Sequence, residues 1–104
     1  MEDTQKYILI VHVVYTIKSG LREEFYNKLH EHRIIDETRR ENGNFKYDYF
    51  FPAEHADDIL LVELWADEPS QKAHLETAHY KILTELKKEY VVDFKIEKFL
   101  GRKI

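Results

Sequence analysis

The chain has no cysteine in its 104 residues. Disulfides, thiolate metal sites and cysteine nucleophiles are therefore excluded. Glycine and proline are also scarce, at three and two residues, and none of the glycine-dependent signatures occurs: no P-loop, no G-x-G-x-x-G, no G-x-S-x-G. The H-E-x-x-H pair of metalloproteases is absent as well. Nothing points to a nucleotide, flavin or nicotinamide site. A reaction catalysed by this chain is expected to need no cofactor and no resident metal. The longest apolar run, residues 8–14, is interrupted by His12 and falls far short of the ~20 residues a membrane helix needs. Residues 1–5 are acidic and polar, unlike a secretory signal. Basic residues are interspersed with a slight excess of acidic ones, giving a net charge of −4, which argues against nucleic acid as the partner. The expectation is a soluble cytoplasmic protein.

What is present is ordinary for a globular chain: 43% apolar and 35% charged residues. The length suits one domain spanning residues 1–104, with one core and a benefit from an oligomer interface. Residues 7–17 are β-branched and aromatic and read as a strand. Both of its faces are apolar apart from His12 and Thr16, so both should be covered. Ser19 is the expected N-cap of a helix running from Leu21 to about Arg40, with Phe25, Leu29, His32 and Ile35 at helical spacing. Gly43 suits a left-handed stop. Residues 45–51 form an aromatic second strand that includes Tyr47, and residues 59–65 a third, with Leu61, Glu63 and Trp65 on one face. Asp67 and Pro69 open a short helix. Thr77 caps a further helical segment to about Lys88. Residues 91–100 alternate as a half-exposed strand at an edge or toward a partner.

The order β-α-β-β-α-β predicts a ferredoxin-like α+β fold: a four-stranded antiparallel sheet with helices on one face. The other, apolar face is then an interaction surface, and a homodimer with sheets face to face is the economical way to cover it.

The chemistry-bearing residues concentrate between Glu63 and Tyr80. Glu63 lies mid-strand in an apolar run, where a carboxyl must be paired or protonated. His74 and His79 are five apart, roughly 140° around an unbroken helix, so they share a face only if the helix breaks near Thr77. As a zinc pair they lack both the i, i+4 spacing and an evident third ligand. Trp65 is either core or an aromatic wall for a flat ligand. His12 faces either the pocket or a partner sheet. His30 and His32 fall on opposite sides of their helix, and His55 lies in a polar loop.

Taken together, Lys18-Ser19-Gly20 followed by Phe25, the Arg39-x-Glu41-x-Gly43-Asn44-x-x-Tyr47 segment, and Glu63-x-Trp65 with His74 and His79 resemble the antibiotic biosynthesis monooxygenase family over nearly the whole chain. The resemblance implies a dimeric α/β barrel with a pocket between helices and sheet in each subunit. Some members oxygenate polyphenols, quinols or anthrones with O₂ and neither metal nor flavin. Others degrade haem or isomerise a phosphorylated autoinducer. The haem-degrading branch carries a Trp where His74 stands, an iron-ligand His where Thr84 stands and an Asn near Val13, and this chain has none of them. The isomerase branch has segments similar to Glu41-x-Gly43-Asn44-x-Lys46-x-Asp48 and Thr77-x-His79-Tyr80-Lys81, with Lys46 or Lys81 as candidate phosphate cations.

Three readings follow. In the first, the protein is a cofactor-independent monooxygenase for a small aromatic phenol or quinol, with O₂ as co-substrate. His74 is the base, supported by Glu63 or His79. Trp65, Tyr47 and His12 bound the substrate, and Asn44 donates to a developing oxyanion. The second is an isomerase working through an enediolate with the same base. The third is a non-catalytic binding module built from the same residues.

Overall fold

Strand β1, Ile8–Ile17, shows how the fold is organised. Its burial alternates without exception, odd residues inside and even residues partly open, as a period of two requires on a sheet covered on one face. The computed structural model describes residues 7–104, so the N-terminal segment read above as unlike a secretory signal lies outside the described residues. After β1 come α1 (Arg22–Glu31), α2 (Ile34–Arg39), β2 (Asn44–Phe50), β3 (Asp58–Trp65), α3 (Glu68–His74), α4 (Ala78–Tyr90) and β4 (Val91–Gly101). The sheet order is β2-β3-β1-β4, and every pairing is antiparallel. This is the expected ferredoxin-like α+β arrangement, and the fourth strand is an edge strand. Among the described residues, no helix is long and apolar enough to cross a membrane.

The core lies between the helices and the odd-numbered faces of β1 and β3. Leu9, Val11, Val13, Tyr15 and Ile17 pack with Ile59, Leu61 and Trp65 from the sheet, and with Phe25, Leu29, Ile34, Leu83 and Leu86 from the helices. The registers Val11↔Glu63 and Tyr47↔Glu63, with Val11↔Lys98, put these four residues in one row across the sheet on its helix side.

Two expectations about the first helix are corrected. The segment after Leu21 is two helices, not one. Arg33 adopts a left-handed conformation, with φ 57° and ψ 27°, which ends one helix and starts the next. On one straight helix Ile34 would fall roughly opposite Phe25; after the break Ile34 and Ile35 both reach the core. Ser19 does not cap α1: Leu21 occupies the cap position without a side-chain bond. The preceding turn is fixed instead by the Gly20 N–H donating to Asp57 Oδ1 at 3.1 Å.

The caps farther along agree with the sequence. Asp67 accepts from the Ser70 N–H at 2.9 Å, and Thr77 Oγ1 accepts from the Tyr80 N–H at 3.1 Å. Gly43 is left-handed as expected, with φ +85°, and a Cβ there would lie 2.3 Å from Ser70 Oγ. The loop after α2 thus presses against the first turn of α3, and just before that helix the Ala66 N–H donates to the Gly43 carbonyl at 2.7 Å.

Candidate active site

A cavity of about 490 Å³ opens between the helix side of the sheet and helices α3 and α4. Its floor includes Val13, Leu61 and Ile96, and His74, Tyr80 and Leu83 come down from the helices. The lining is largely apolar with a few convergent polar groups, as expected of a small-molecule site.

His74 is the last residue of α3 and is only 2% exposed. The helix ends there because the Leu75–Thr77 segment turns the chain. Thr77 Oγ1 donates to the His74 carbonyl at 2.8 Å and caps α4 in the same turn. The reversal carries His79, in the first turn of α4, back beside His74, with ring centroids 5.9 Å apart. A helix break at Thr77 is what the five-residue spacing needed.

The group that unites the two imidazoles is Glu41, from the loop pinned by Gly43. Its Oε2 lies 2.6 Å from His74 Nδ1 and 2.6 Å from His79 Nε2. An ionised carboxylate only accepts, so both ring nitrogens must be protonated at those positions. His74 therefore carries its proton on Nδ1, and its Nε2 holds a free lone pair. No buried side-chain nitrogen or oxygen among the described residues lacks a partner. The Nε2 has no protein partner, and His74 lines the cavity, so this nitrogen opens onto it. Burial lowers the His74 pKa below 6.5, against the opposing pull of Glu41, which keeps the ring neutral at pH 7.

Glu63 also lines the cavity. It is not hydrogen-bonded to His74, the support that one expectation assigned it. Its Oε1 accepts from the Trp65 indole N–H at 2.9 Å. Burial pushes its pKa up to about 7, with the indole bond and the Lys98 and Lys87 charges pulling the other way. The carboxyl is thus poised between its protonated and ionised forms near neutrality.

The remaining expected residues separate by distance from the cavity. Tyr47 lines it, with its hydroxyl 3.0 Å from that of Tyr49; burial raises its pKa well above 10. Trp65 is fully buried one layer behind, its ring 5.1 Å from His74, so it positions neighbours and is not a wall of the cavity. His79 is likewise behind His74 and absent from the lining. Asn44 is not an oxyanion donor here. Its amide is spent on the Lys46 carbonyl at 3.1 Å and the Leu64 carbonyl at 3.4 Å, where the β2–β3 register shifts. His12 has even parity on β1 and sits on the open side of the sheet, its ring 5.6 Å from Phe99. The sequence reading missed Glu41 as a partner of the histidines, and Tyr80, Lys87 and Lys98 as cavity residues.

Glu41, His74 and His79 also form a set with one carboxylate and two imidazole donors, all within 4.8 Å of one another. Such a set can hold a divalent transition metal, and it corrects the expectation that the histidines have no third ligand near them. The 2.6 Å separations are those of charge-assisted N–H···O bonds. A metal would have to displace both protons.

The fold and this pocket define a ferredoxin-like domain with a histidine-bearing apolar site. The profile of the family described as antibiotic biosynthesis monooxygenase matches residues 8–85, and the chain belongs to that family. It is 30% identical over 74 residues to the Bacillus subtilis (strain 168) protein named "Putative monooxygenase YcnE", covering 71% of this chain and 76% of that protein. A conserved protein from Methanosarcina mazei Go1 superposes with a TM-score of 0.83 at 23% identity, over 93% of this chain and 95% of that one. A Nitrosomonas europaea structure described as "Putative antibiotic biosynthesis monooxygenase" superposes with a TM-score of 0.81 at 19% identity, over 99% and 96%. At these identities the structural matches establish the shared fold.

Proposed function

We propose that the protein is a cofactor-independent monooxygenase that oxidises a small phenol or quinol with O₂. The observation that carries this reading is the His74 imidazole, held at Nδ1 by Glu41 and lining an apolar cavity. A neutral imidazole held in one tautomer is a general base suited to pH 7. Nε2 takes the phenolic proton, and Glu41 stabilises the imidazolium that results. The electron-rich anion reduces O₂, and carbon–oxygen bond formation gives a peroxide on the ring. Glu63, in its protonated form, supplies the proton that makes this a hydroperoxide. Loss of water then leaves the new carbonyl. One oxygen atom enters the product and the other leaves as water, with the substrate supplying all the electrons. For a hydroquinone the balance is one O₂ consumed per hydroxyquinone and water formed.

The isomerase reading loses the two cations expected for it. Lys46 and Lys81, the cations considered for a phosphate, are not part of the cavity lining. Lys46 lies 3.8 Å from Asp48 on the other side of the sheet.

The test is oxygen uptake by metal-free protein with a panel of hydroquinones, for wild type and His74→Ala. The expected outcome is uptake by wild type and a loss of at least about a hundredfold in the variant, with an unchanged circular dichroism spectrum. Equal uptake by both would remove His74 as the base. Turnover of a phosphorylated dione without oxygen uptake would favour the isomerase.

The protein is further proposed to act as a homodimer through the open side of its sheet. Ile10, Val14, Leu60, Val62 and Leu64 all lie on that side and are only partly covered by their own chain. Phe99 adds to the patch from β4 and is 46% exposed. A second copy presents a patch of identical shape and character, which a two-fold interface requires. Sedimentation equilibrium should return twice the chain mass, and Val62→Glu should return the monomer. A monomeric wild type at micromolar concentration would contradict the proposal.

A further inference from the structure

The acidic and basic side chains that line the cavity are His74, Glu63, Lys87, Lys88 and Lys98. Lys88 is neutralised outside it, its Nζ 3.0 Å from Glu85 Oε2, with both side chains about 70% exposed. Lys87 and Lys98 are different. Among the described residues, neither is in ion-pair contact with a carboxylate.

Lys87 is held by aromatic groups of the cavity. Its Nζ donates to Tyr80 Oη at 3.2 Å and lies 5.0 Å from the centre of the Tyr80 ring and 5.9 Å from that of Tyr15. Cation–π contact is a means of keeping an ammonium in an apolar place without neutralising it. Lys98 projects from the helix side of β4, in the sheet row that runs through Val11 to Glu63. Two strand spacings separate Lys98 from Glu63, roughly 10 Å. The cavity therefore has a proton-transfer end at His74 and Glu63 and a cationic side at Lys87 and Lys98, joined by Val13, Leu61, Ile96 and Phe94.

Lys87 is half-buried, and an unneutralised cation beside a low-dielectric wall attracts an anion more strongly than it would in water; Lys98 is exposed and adds a weaker, screened attraction. From this arrangement we infer that the ligand of the cavity is a flat aromatic anion, with its acidic group (carboxylate, sulfonate or phosphate) at Lys87 and Lys98 and its ring on the apolar floor. The inference names the substrate class for the site proposed above and rests on that site being a ligand pocket, but not on its using oxygen.

The test uses two fluorescent probes of nearly equal shape, 1-anilinonaphthalene-8-sulfonate and the uncharged N-phenyl-1-naphthylamine, titrated into the full chain. The sulfonate is expected to bind at least tenfold tighter than the neutral probe. Lys87→Gln, which keeps most of the side-chain length, should weaken the sulfonate about tenfold and leave the neutral probe within twofold. Lys98→Gln should act in the same direction. Lys28→Gln, which removes one positive charge from α1 far from the cavity, is the control and should change neither. Equal affinity for the two probes, or equal effects of Lys87→Gln and Lys28→Gln, would overturn the inference. No turnover is measured, so the result stands apart from oxygen uptake. Selective sulfonate binding with no oxygen uptake by any quinol would keep the anion site and discard the monooxygenase.

Discussion

Glu41 and Glu63 serve the same pair of adjoining rings from two sides. Glu41 holds His74 and Glu63 holds to Trp65, and the two rings lie 5.1 Å apart. Glu41 accepts two N–H bonds on one oxygen and has no place in the cavity lining. Glu63 accepts one, from a neutral indole, and its carboxyl faces the cavity. The difference follows from what each carboxyl meets when it is removed from water. Two imidazole donors make up for lost hydration, and the carboxylate becomes a fixed anchor. One indole does not, so burial wins and the Glu63 pKa rises to about 7. A carboxyl of the first kind orients a base; one of the second kind can carry a proton.

The largest effect is expected from removing the anchor. Glu41→Ala deletes the acceptor for both imidazoles, so His74 loses its fixed tautomer and the charge that supports its imidazolium. Turnover should fall at least a hundredfold, about 3 kcal/mol in the barrier. Glu41→Gln, which keeps the shape and one acceptor, should recover part of it. Steady-state rates for the two variants check this, and full activity in Glu41→Ala would reduce the residue to packing.

The next effect belongs to Glu63 and is read in stability, not rate. Its folded pKa, about 7, lies above the ordinary 4.5. The folded state therefore binds the proton more tightly than the unfolded state over this window. Below pH 4.5 both forms are protonated and the group contributes nothing. As pH rises toward 7 the unfolded chain ionises first, and folding stability falls. Above 7 the penalty is constant, at about 3 kcal/mol from 1.4 kcal/mol per pH unit. Glu63→Gln should abolish this slope and leave the protein more stable than wild type at pH 8. Urea titrations at pH 5 and pH 8 measure it. A variant less stable than wild type at pH 8 would mean that the charged form is well satisfied and the contrast with Glu41 is false.

Gly43→Ala sharpens the comparison by disturbing one carboxylate and sparing the other. The new Cβ would meet Ser70 Oγ at 2.3 Å and Ser70 Cβ at 2.7 Å, at a φ of +85°. The left-handed backbone alone costs about 1–2 kcal/mol in an L-residue, and the contact shifts the loop that presents Glu41. The expected result is a stability loss of about 2 kcal/mol and a reduced rate, with the pH 5 to pH 8 stability difference of Glu63 intact. Loss of that difference as well would show that the two carboxyls are one coupled unit.

The contrast also shows what the sequence could reveal. Glu63 and Trp65 were readable as neighbours because a strand has a period of two and they are two apart. The helix break that joins His74 to His79 was readable from Thr77, since a threonine before Ala-His-Tyr has a cap's chemistry. Glu41 was not readable as their partner, although its segment was part of the family resemblance. It stands 33 and 38 residues from the two histidines, and no local periodicity spans that distance. Arg33 hid the split between α1 and α2 because its left-handed turn uses neither glycine nor asparagine, the residues that ordinarily mark one. Asn44 carried the right functional group, but a bulge consumed it. Lys87 and Lys98 look in sequence like solvated faces of a helix and a strand; only the sheet registers and the Tyr80 contact place them on the cavity.

The smallest expected effect tests the single bond that Glu63 retains. Trp65→Phe removes the indole N–H and keeps an aromatic ring in the core. That bond lowers the Glu63 pKa against the larger upward effect of burial, so its loss should move the midpoint upward. A hydrogen bond to an ionised group contributes about 1.5 kcal/mol, which corresponds to about one pH unit. The side-chain carboxyl carbon of Glu63, followed by NMR across pH 5 to 9, should titrate about one unit higher in the variant. At pH 7 the Glu41 carboxyl signal should stay where it is in the wild type, because its two imidazole donors do not pass through Trp65. Equal displacement of both signals would mean that the adjoining rings transmit charge between the carboxyls, and the division into anchor and proton carrier would have to be redrawn as one shared proton network.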